Sequence, residues 1–320
     1  MKRLFLALAP AILFGLSPVL AFAQYPTKPI RLIVPFAPGG ATDTLARTLG
    51  QKLSERLGQP VYVENRPGGN TFIGAELVAK SPPDGYTLLV PIDATLTMNA
   101  ALYSKLPYDP VKSFAPVSIL TRQSLLLSVH PKLAMKSVKQ LVEYAKANPG
   151  KLNYGTGAIT GQVAAELFKF TAGIDIVAVR YKGAAPAIQA LLAGDIDMVL
   201  ADIASAIPHV REGRLHGVAT TGPQRAQALP DLPTVAEQGY PDYEVRYWFG
   251  LVAPSETPRS IINKLNAEVR TSLNVPEVKN RLATFGLEAN PTTPEEFAAV
   301  IKSDIERWAK VLSTLAIHLE

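Results

Sequence analysis

The chain has 320 residues, 48% of them apolar, with 32 basic against 27 acidic side chains and no cysteine. The missing cysteines exclude disulfides, thiolate metal sites, thiol nucleophiles and a lipid carried on an N-terminal cysteine. A net charge of +5, without a basic run interleaved with aromatics, argues against nucleic-acid binding and is compatible with an acidic small ligand.

Lys2 and Arg3 precede an apolar run over residues 4–20 that ends in Ala21-Phe22-Ala23, the pattern of a signal peptide cleaved before Gln24. A membrane anchor is the competing reading; Pro10, Gly15 and Pro18 within the run and the small-x-small site after it argue for cleavage. About 297 residues then remain, ample for two domains.

Residues 30–43, IRLIVPFAPGGATD, predict a β-branched strand that stops near Phe36, because Pro35 and Pro38 cannot continue a ladder. Gly39 and Gly40 then let the backbone turn with positive φ and come close to a ligand. Thr42 or Asp43 is expected to cap a helix that turns Leu45, Ala46, Leu49 and Leu53 inward. Such a helix start is a potential anion site, although the loop alone is equally a plain strand-to-helix turn.

Further along, a strand is predicted over 60–64, a second glycine loop over 65–70, a helix over 71–79 and a strand over 86–91, with irregular chain over 102–114. Residues 116–129 form a long apolar strand read as crossing between domains. The same grammar then repeats. Helices are predicted over 137–147, 162–171, 185–193 and 205–211, alternating with strands over 153–154, 175–181, 198–201 and 217–220. An aromatic strand over 243–252 carries the chain back, and helices over 259–272, 277–284 and 294–316 finish it, with a short extended piece at 289–290. The reading is an α/β chain of two lobes joined by two crossing strands, with a ligand cleft between them. Residues 24–123 plus 247–320 form the first domain and 124–246 the second.

The glycine loop over 155–161 resembles a dinucleotide fingerprint, but its GxGxxxG spacing is one residue too long, which leaves a second anion-accepting helix start with Thr156 and Thr160 as donors. Asp202 leaves an apolar strand either as a helix cap or as a cleft carboxylate. Arg180 and Arg246 stand at or beside strand ends, where each is either solvated or a bidentate grip for a carboxylate. His130, His209, His216 and His318 are scattered, neither HExxH nor GxSxG occurs, and no clustered metal ligands or paired carboxylates are singled out by spacing. No catalytic group, metal site or cofactor is therefore assigned.

Six segments, taken in order, closely resemble the extracytoplasmic solute receptors of tripartite tricarboxylate transporters, the Bug-type receptors. They are YPTKPIRLIVPFAPGGATDTLAR, VENRPGGNTFIGAELVAKSPPDGYTLL, LPYDPVKSFAPVS, NYGTG, YKGAAPAIQALLAGDIDM and WFGLVAP followed by TP, and they span essentially the whole mature chain. The resemblance implies a bilobal, type II-like periplasmic-binding-protein fold that closes on its ligand like a hinged trap. It implies a ligand carboxylate held by two facing loops, partly through water. One loop holds Phe36, Ala37, Gly39, Gly40, Ala41 and Thr42; the other holds Thr156, Gly157 and Ala158. Asp43 and Asp202 match family aspartates, and Thr95 and Asn99 match the segment facing the far end of the ligand. Ala184 lies in the matched YKGAAPA stretch. The sequence departs from the family at Gln162, where a histidine is common, at Arg180, where a proline is common, and at Asp93, an unusual residue beside an anion pocket. These departures leave the second half of the ligand open among dicarboxylates, aromatic acids, amino acids and related compounds.

The leading expectation is a periplasmic, monomeric binding protein that captures a small carboxylate and hands it to the small and large permease subunits. A sensor module acting on a membrane histidine kinase is the alternative, because closure would be the signal in either case. A periplasmic enzyme is disfavoured by the missing catalytic group.

Overall fold

The computed structural model describes residues 25–157, 159–181 and 183–315. The expected signal peptide, Ala158, Lys182, His318 and the terminal Leu319-Glu320 lie outside these. Among the described residues no helix is long and apolar enough to cross a membrane.

The first lobe opens with β1 (Ile30–Val34), α1 (Ala41–Leu57) and β2 (Val61–Asn65), followed by α2 (Phe72–Ala79), β3 (Thr87–Leu89) and two short helices, α3 (Asp93–Leu96) and α4 (Met98–Leu102). β1 lies parallel between β2 and β3 and is buried almost throughout, as a central strand covered on both faces must be. α1 places Leu45, Ala46, Leu49 and Leu53 against it, fully buried, on the stripe its periodicity predicts. The helix stops at Gly58, whose φ of 67° forms a left-handed cap and lets its N–H reach the Ser54 carbonyl at 3.1 Å.

β4 (Phe114–Val129) is the long strand that the apolar run predicts, and it organises the molecule. The second lobe follows as α5 (Val138–Ala147), β5 (Asn153–Thr156), α6 (Ile159–Ala172), β6 (Val177–Arg180), α7 (Ala184–Ala193), β7 (Met198–Asp202), α8 (Ile203–Arg211) and β8 (His216–Thr220). β5 runs parallel between β6 and β7. β9 (Arg246–Pro254) then returns antiparallel to β4, and α9 (Arg259–Leu273), α10 (Pro276–Ala283), β10 (Glu288–Ala289) and α11 (Pro294–Thr314) complete the first lobe.

β4 pairs with β9 and β10 as far as Ser124, then with β7 and β8 from Leu125 onward, so one strand belongs to the sheets of both lobes. Thr221 fastens the crossing. Its buried hydroxyl accepts from the Leu125 N–H at 2.8 Å and donates to the Val245 carbonyl at 2.5 Å. α11 starts with a capping box, in which Thr293 and Glu296 satisfy each other's backbone N–H groups. It locks its lobe by setting Phe297 edge-on to Trp248 of β9, ring centroids 4.9 Å apart.

Several boundaries differ from expectation. α6 begins at Ile159 rather than residue 162, so Thr160 and Gly161 lie in its first turn, while Gly155 and Thr156 belong to β5. The two short helices α3 and α4 carry too little periodic pattern to be read from sequence.

Candidate functional site

The loop after β1 delivers the N-terminus of α1 to the space between the lobes. Neither Thr42 nor Asp43 caps the helix as expected. The N-cap is Gly40, with no side-chain cap. The reason lies in Asp43, which turns into the lobe and accepts from the Gly39 N–H at 3.0 Å, from Arg47 Nε at 2.9 Å and from Asn65 Nδ2 at 2.9 Å. Burial pushes the Asp43 carboxyl up, but these donors outweigh it and hold the group below its ordinary value. Asn65 also donates to the Phe36 carbonyl at 3.1 Å. The loop is thereby tied at both ends, and Gly39, at φ 91°, takes the turn that a side chain would resist.

Facing it are the start of α6 and the start of α7. Gly157 packs so tightly on the Gly183 backbone that a Cβ there would overlap its carbonyl. Close approach of two backbones, rather than a dinucleotide phosphate, accounts for this glycine.

These starts enclose an inner chamber of about 220 Å³. Gly40, Ala41 and Thr42 line it from the first lobe, and Gly157, Thr160, Gly161 and Ala184 from the second. Three helix N-termini therefore meet there, and the N–H groups of a first helical turn have no acceptors within their own helix. Asp202, Tyr247 and Phe249 form its floor. Asp202 does not cap α8 through its side chain; it accepts the Tyr247 hydroxyl. Burial pushes this carboxyl up, opposed by that hydrogen bond, and burial together with the Asp202 charge raises the Tyr247 hydroxyl further.

Phe36, Ile92, Gly157 and Thr160 also border an outer chamber of about 390 Å³. Its walls hold Asn70, Asn99, Tyr103, Thr156, Gln162, Arg180 and Tyr181. Asn99 Nδ2 donates to the Asn70 carbonyl at 3.1 Å, and the Asn70 amide to the Tyr103 hydroxyl. Arg180 sits beside Thr156 in the β5–β6 register, is exposed, and has no carboxylate within 4.0 Å among the described residues.

The structure thus brings together Phe36, Gly40, Ala41, Thr42, Asn99, Thr156, Gly157, Arg180, Ala184 and Asp202 around the two chambers. Ala37 and Gly39 lie exposed on the loop outside the lining, and Asp43 stands behind it. Thr95 is fully buried in its lobe, where its carbonyl accepts from Tyr108 at 2.6 Å. Arg246 lies away from the cleft, because strand alternation puts Tyr247 on the cleft face and Arg246 on the other, paired with Glu244 at 2.8 Å. Sequence reasoning passed over Tyr247 and Phe249, although that same alternation was readable in the 243–252 run. It also passed over Tyr103, which carried no such signal, and named Tyr181 only as the start of the YKGAAPA stretch.

Two α/β lobes hinged on crossing strands, with a cleft lined by helix N-termini, define the fold of a periplasmic solute-binding protein. The chain belongs to the tripartite tricarboxylate transporter receptor family, whose pattern matches residues 45–317. This is a substrate-binding receptor family, and the protein is not an enzyme. Protein BugT of Bordetella pertussis is 35% identical over 309 residues, covering 96% of this chain and 95% of its own. A structure of R. palustris Rpa4515 with adipate superposes with a TM-score of 0.83 at 37% identity, covering 92% of this chain and 99% of that one. MatC from Rhodopseudomonas palustris with bound malate gives a TM-score of 0.78 at 33% identity, covering 90% and 100%.

Proposed function

We propose that this receptor is exported to the periplasm by its N-terminal signal peptide, traps a small carboxylate between its lobes and delivers it to a membrane permease. The observation that carries the reading is the meeting of three helix N-termini, from both lobes, on one inner chamber. A carboxylate there receives N–H donors from the Gly40–Thr42 loop on one side and from Gly157, Thr160 and the start of α7 on the other. Closure then strengthens binding, because neither lobe alone supplies the full set of donors. Ala37, Gly39 and Asp43 support the first loop, and Thr95 supports the wall that presents Asn99. The ligand's remainder occupies the outer chamber, within reach of Arg180. Relatives holding adipate and malate are compatible with this chemistry.

The hinge belongs near residues 123/124 and 246/247, dividing the chain into 24–123 plus 247–320 and 124–246. The exchange of partners by β4 between Ser124 and Leu125 supports that division.

A thermal-shift screen of ligand-stripped protein against carboxylic acids and their matched amides tests the reading. A ligand at 100 times its dissociation constant stabilises the native state by about 2.7 kcal/mol. Stabilisation by acids and not by amides is the expected result; equal stabilisation by both would remove the helix N-termini as the charge-reading element.

A further inference from the structure

The two crossing strands have a second face. In the β4–β9 register Gln123 opposes Tyr247 and Thr121 opposes Phe249, which puts those pairs on the cleft side. Arg122 opposes Trp248 and Ser124 opposes Arg246, so both arginines lie on the side away from the cleft. There they border a separate cavity of about 350 Å³, which shares no lining residue with either cleft chamber. Residues 222–227 of the second lobe and 288–290 of the first close its ends, so its walls come from both lobes and both crossing strands.

Its charges are unevenly matched. Arg225 is held by Glu237 at 3.0 Å, and Arg246 by Glu244 at 2.8 Å. Glu288 also lines the cavity, with one oxygen taken by the Gln227 N–H at 2.8 Å. Arg122 has only a neutral side-chain acceptor, Asn290 Oδ1 at 2.9 Å, and no carboxylate within 4.0 Å among the described residues. Burial and the Arg246 charge both disfavour its cationic form, with Asp304 and Glu244 compensating from further away. A guanidinium carries five donors, and the Asn290 bond engages one of them, so Arg122 borders the cavity with donors that have no anionic partner among the described residues. Arg122 and Arg246 are diagonal neighbours across the pair, a separation of roughly 7–8 Å with the Cβ atoms somewhat closer, a span one ion can bridge.

We propose that this cavity is a second ligand site, on the back of the hinge, that binds a small tetrahedral oxyanion of the phosphate or sulfate class between Arg122 and Arg246. Arg122 brings a charge with no carboxylate beside it, Arg246 brings the donors its Glu244 pair leaves over, and the oxygens of such an ion suit both forks. Because the walls belong to both lobes, the bound ion bears on the hinge that the cleft also moves. The inference stands apart from the carboxylate reading of the cleft, since no residue is shared.

The test is calorimetric titration of the purified protein with inorganic phosphate, sulfate and acetate at matched ionic strength. Saturable one-to-one binding of phosphate and sulfate is expected, weakened by about tenfold or more in Arg122→Gln and in Arg246→Gln. Arg246 is the safer variant for folding, its side chain being 42% exposed. Arg180→Gln, in the cleft, is expected to leave this titration unchanged. Absence of saturable binding, constants unaltered in both hinge variants, or loss in Arg180→Gln instead would overturn the proposal. Acetate binding as tightly as phosphate would overturn the assignment to a doubly charged oxyanion.

Discussion

The inner and outer chambers of the cleft share four lining residues yet are built on opposite principles. The inner one, above its floor of Asp202, Tyr247 and Phe249, is walled largely by backbone and small side chains: Gly40, Ala41, Gly157, Gly161 and Ala184 bring helix starts close together, and among the described residues no cation lines it. The outer one is walled by side chains with individual chemistry, among them Arg180, Gln162, Asn70 and Tyr103. Backbone recognition demands only that nothing larger than hydrogen or methyl stand in the way. Side-chain recognition changes with every substitution. On the proposed reading, one chamber takes the carboxylate while the other selects what is attached to it.

The largest expected effect comes from breaking the backbone arrangement. Gly157→Ala places a methyl group on the Gly183 carbonyl, so the starts of α6 and α7 must separate. Overpacking of this kind costs about 1–3 kcal/mol of stability. Loss of two helix N-termini from the anion is expected to weaken carboxylate binding by about 100-fold, or about 2.7 kcal/mol. Calorimetry at a temperature where the variant is folded checks this; a dissociation constant within a few-fold of the wild type would mean the inner chamber does not read charge through its backbone.

Asp43→Asn attacks the same chamber from behind. Arg47 is half-exposed and its ion pair contributes little, so the loss falls mainly on the donors Gly39 and Asn65, at about 1 kcal/mol. The native Asp43 carboxyl titrates below its ordinary value of 3.8. Its stabilisation is thus present above that value and is lost as pH falls through the lower native one. Melting curves of the wild type and variant are expected to differ at pH 7 and to converge in acid. A difference independent of pH would show that the charge on Asp43 is not what ties the loop.

How far these features were legible depends on what holds them. β1, α1 and β4 announce themselves through apolar period and proline or glycine punctuation, and they fall where the pattern puts them. The loop at Gly39-Gly40 was legible in part: Gly39 takes the positive φ expected, at 91°, whereas Gly40, at φ −81°, is an extended N-cap that needs no left-handed turn. The role of Asp43 was not: an aspartate two residues into a helix looks like a cap, and only the position of Asn65, on another strand, makes it a loop tie. Asp202 was ambiguous until Tyr247, 45 residues away, supplied its donor. Arg246 and Arg180 are indistinguishable as strand-end cations until pairing decides which face each occupies.

Asp93 sharpens the comparison from the wall of the outer chamber, flanked by the lining residues Ile92 and Ala94. The residue is 1% exposed; one oxygen accepts from the Ala94 N–H at 2.7 Å and the other has no partner among the described residues. Burial, with repulsion from Asp304, outweighs the Ala94 bond and the attraction of Arg307, and pushes the carboxyl well above 3.8. A native value raised in this way means that stability falls as pH rises from about 4 through the native value. Asp93→Asn removes the ionisation. It is expected to match the wild type near pH 4 and to exceed its stability at higher pH, by on the order of 1 kcal/mol for an unpaired buried acceptor. Equal pH profiles would place a compensating cation beside the second oxygen.

The smallest effect is expected at Arg180, and it is the one that separates the two chambers. An exposed guanidinium contributes modestly to holding an anion, about 0.5–1 kcal/mol, or roughly two- to fivefold in affinity. Arg180→Gln is therefore expected to weaken acids that carry a second anionic group by that factor and to leave matched monoacids unchanged, because the inner chamber is untouched. Titrating one such pair into wild type and variant gives the answer as a ratio of ratios, which cancels any general loosening of the second lobe. An equal loss for both acids would place Arg180 in the closure of the cleft rather than in reading the ligand. No loss for either would assign the far end of the ligand to Asn70, Gln162 and Tyr103, and hence to hydrogen bonding rather than charge.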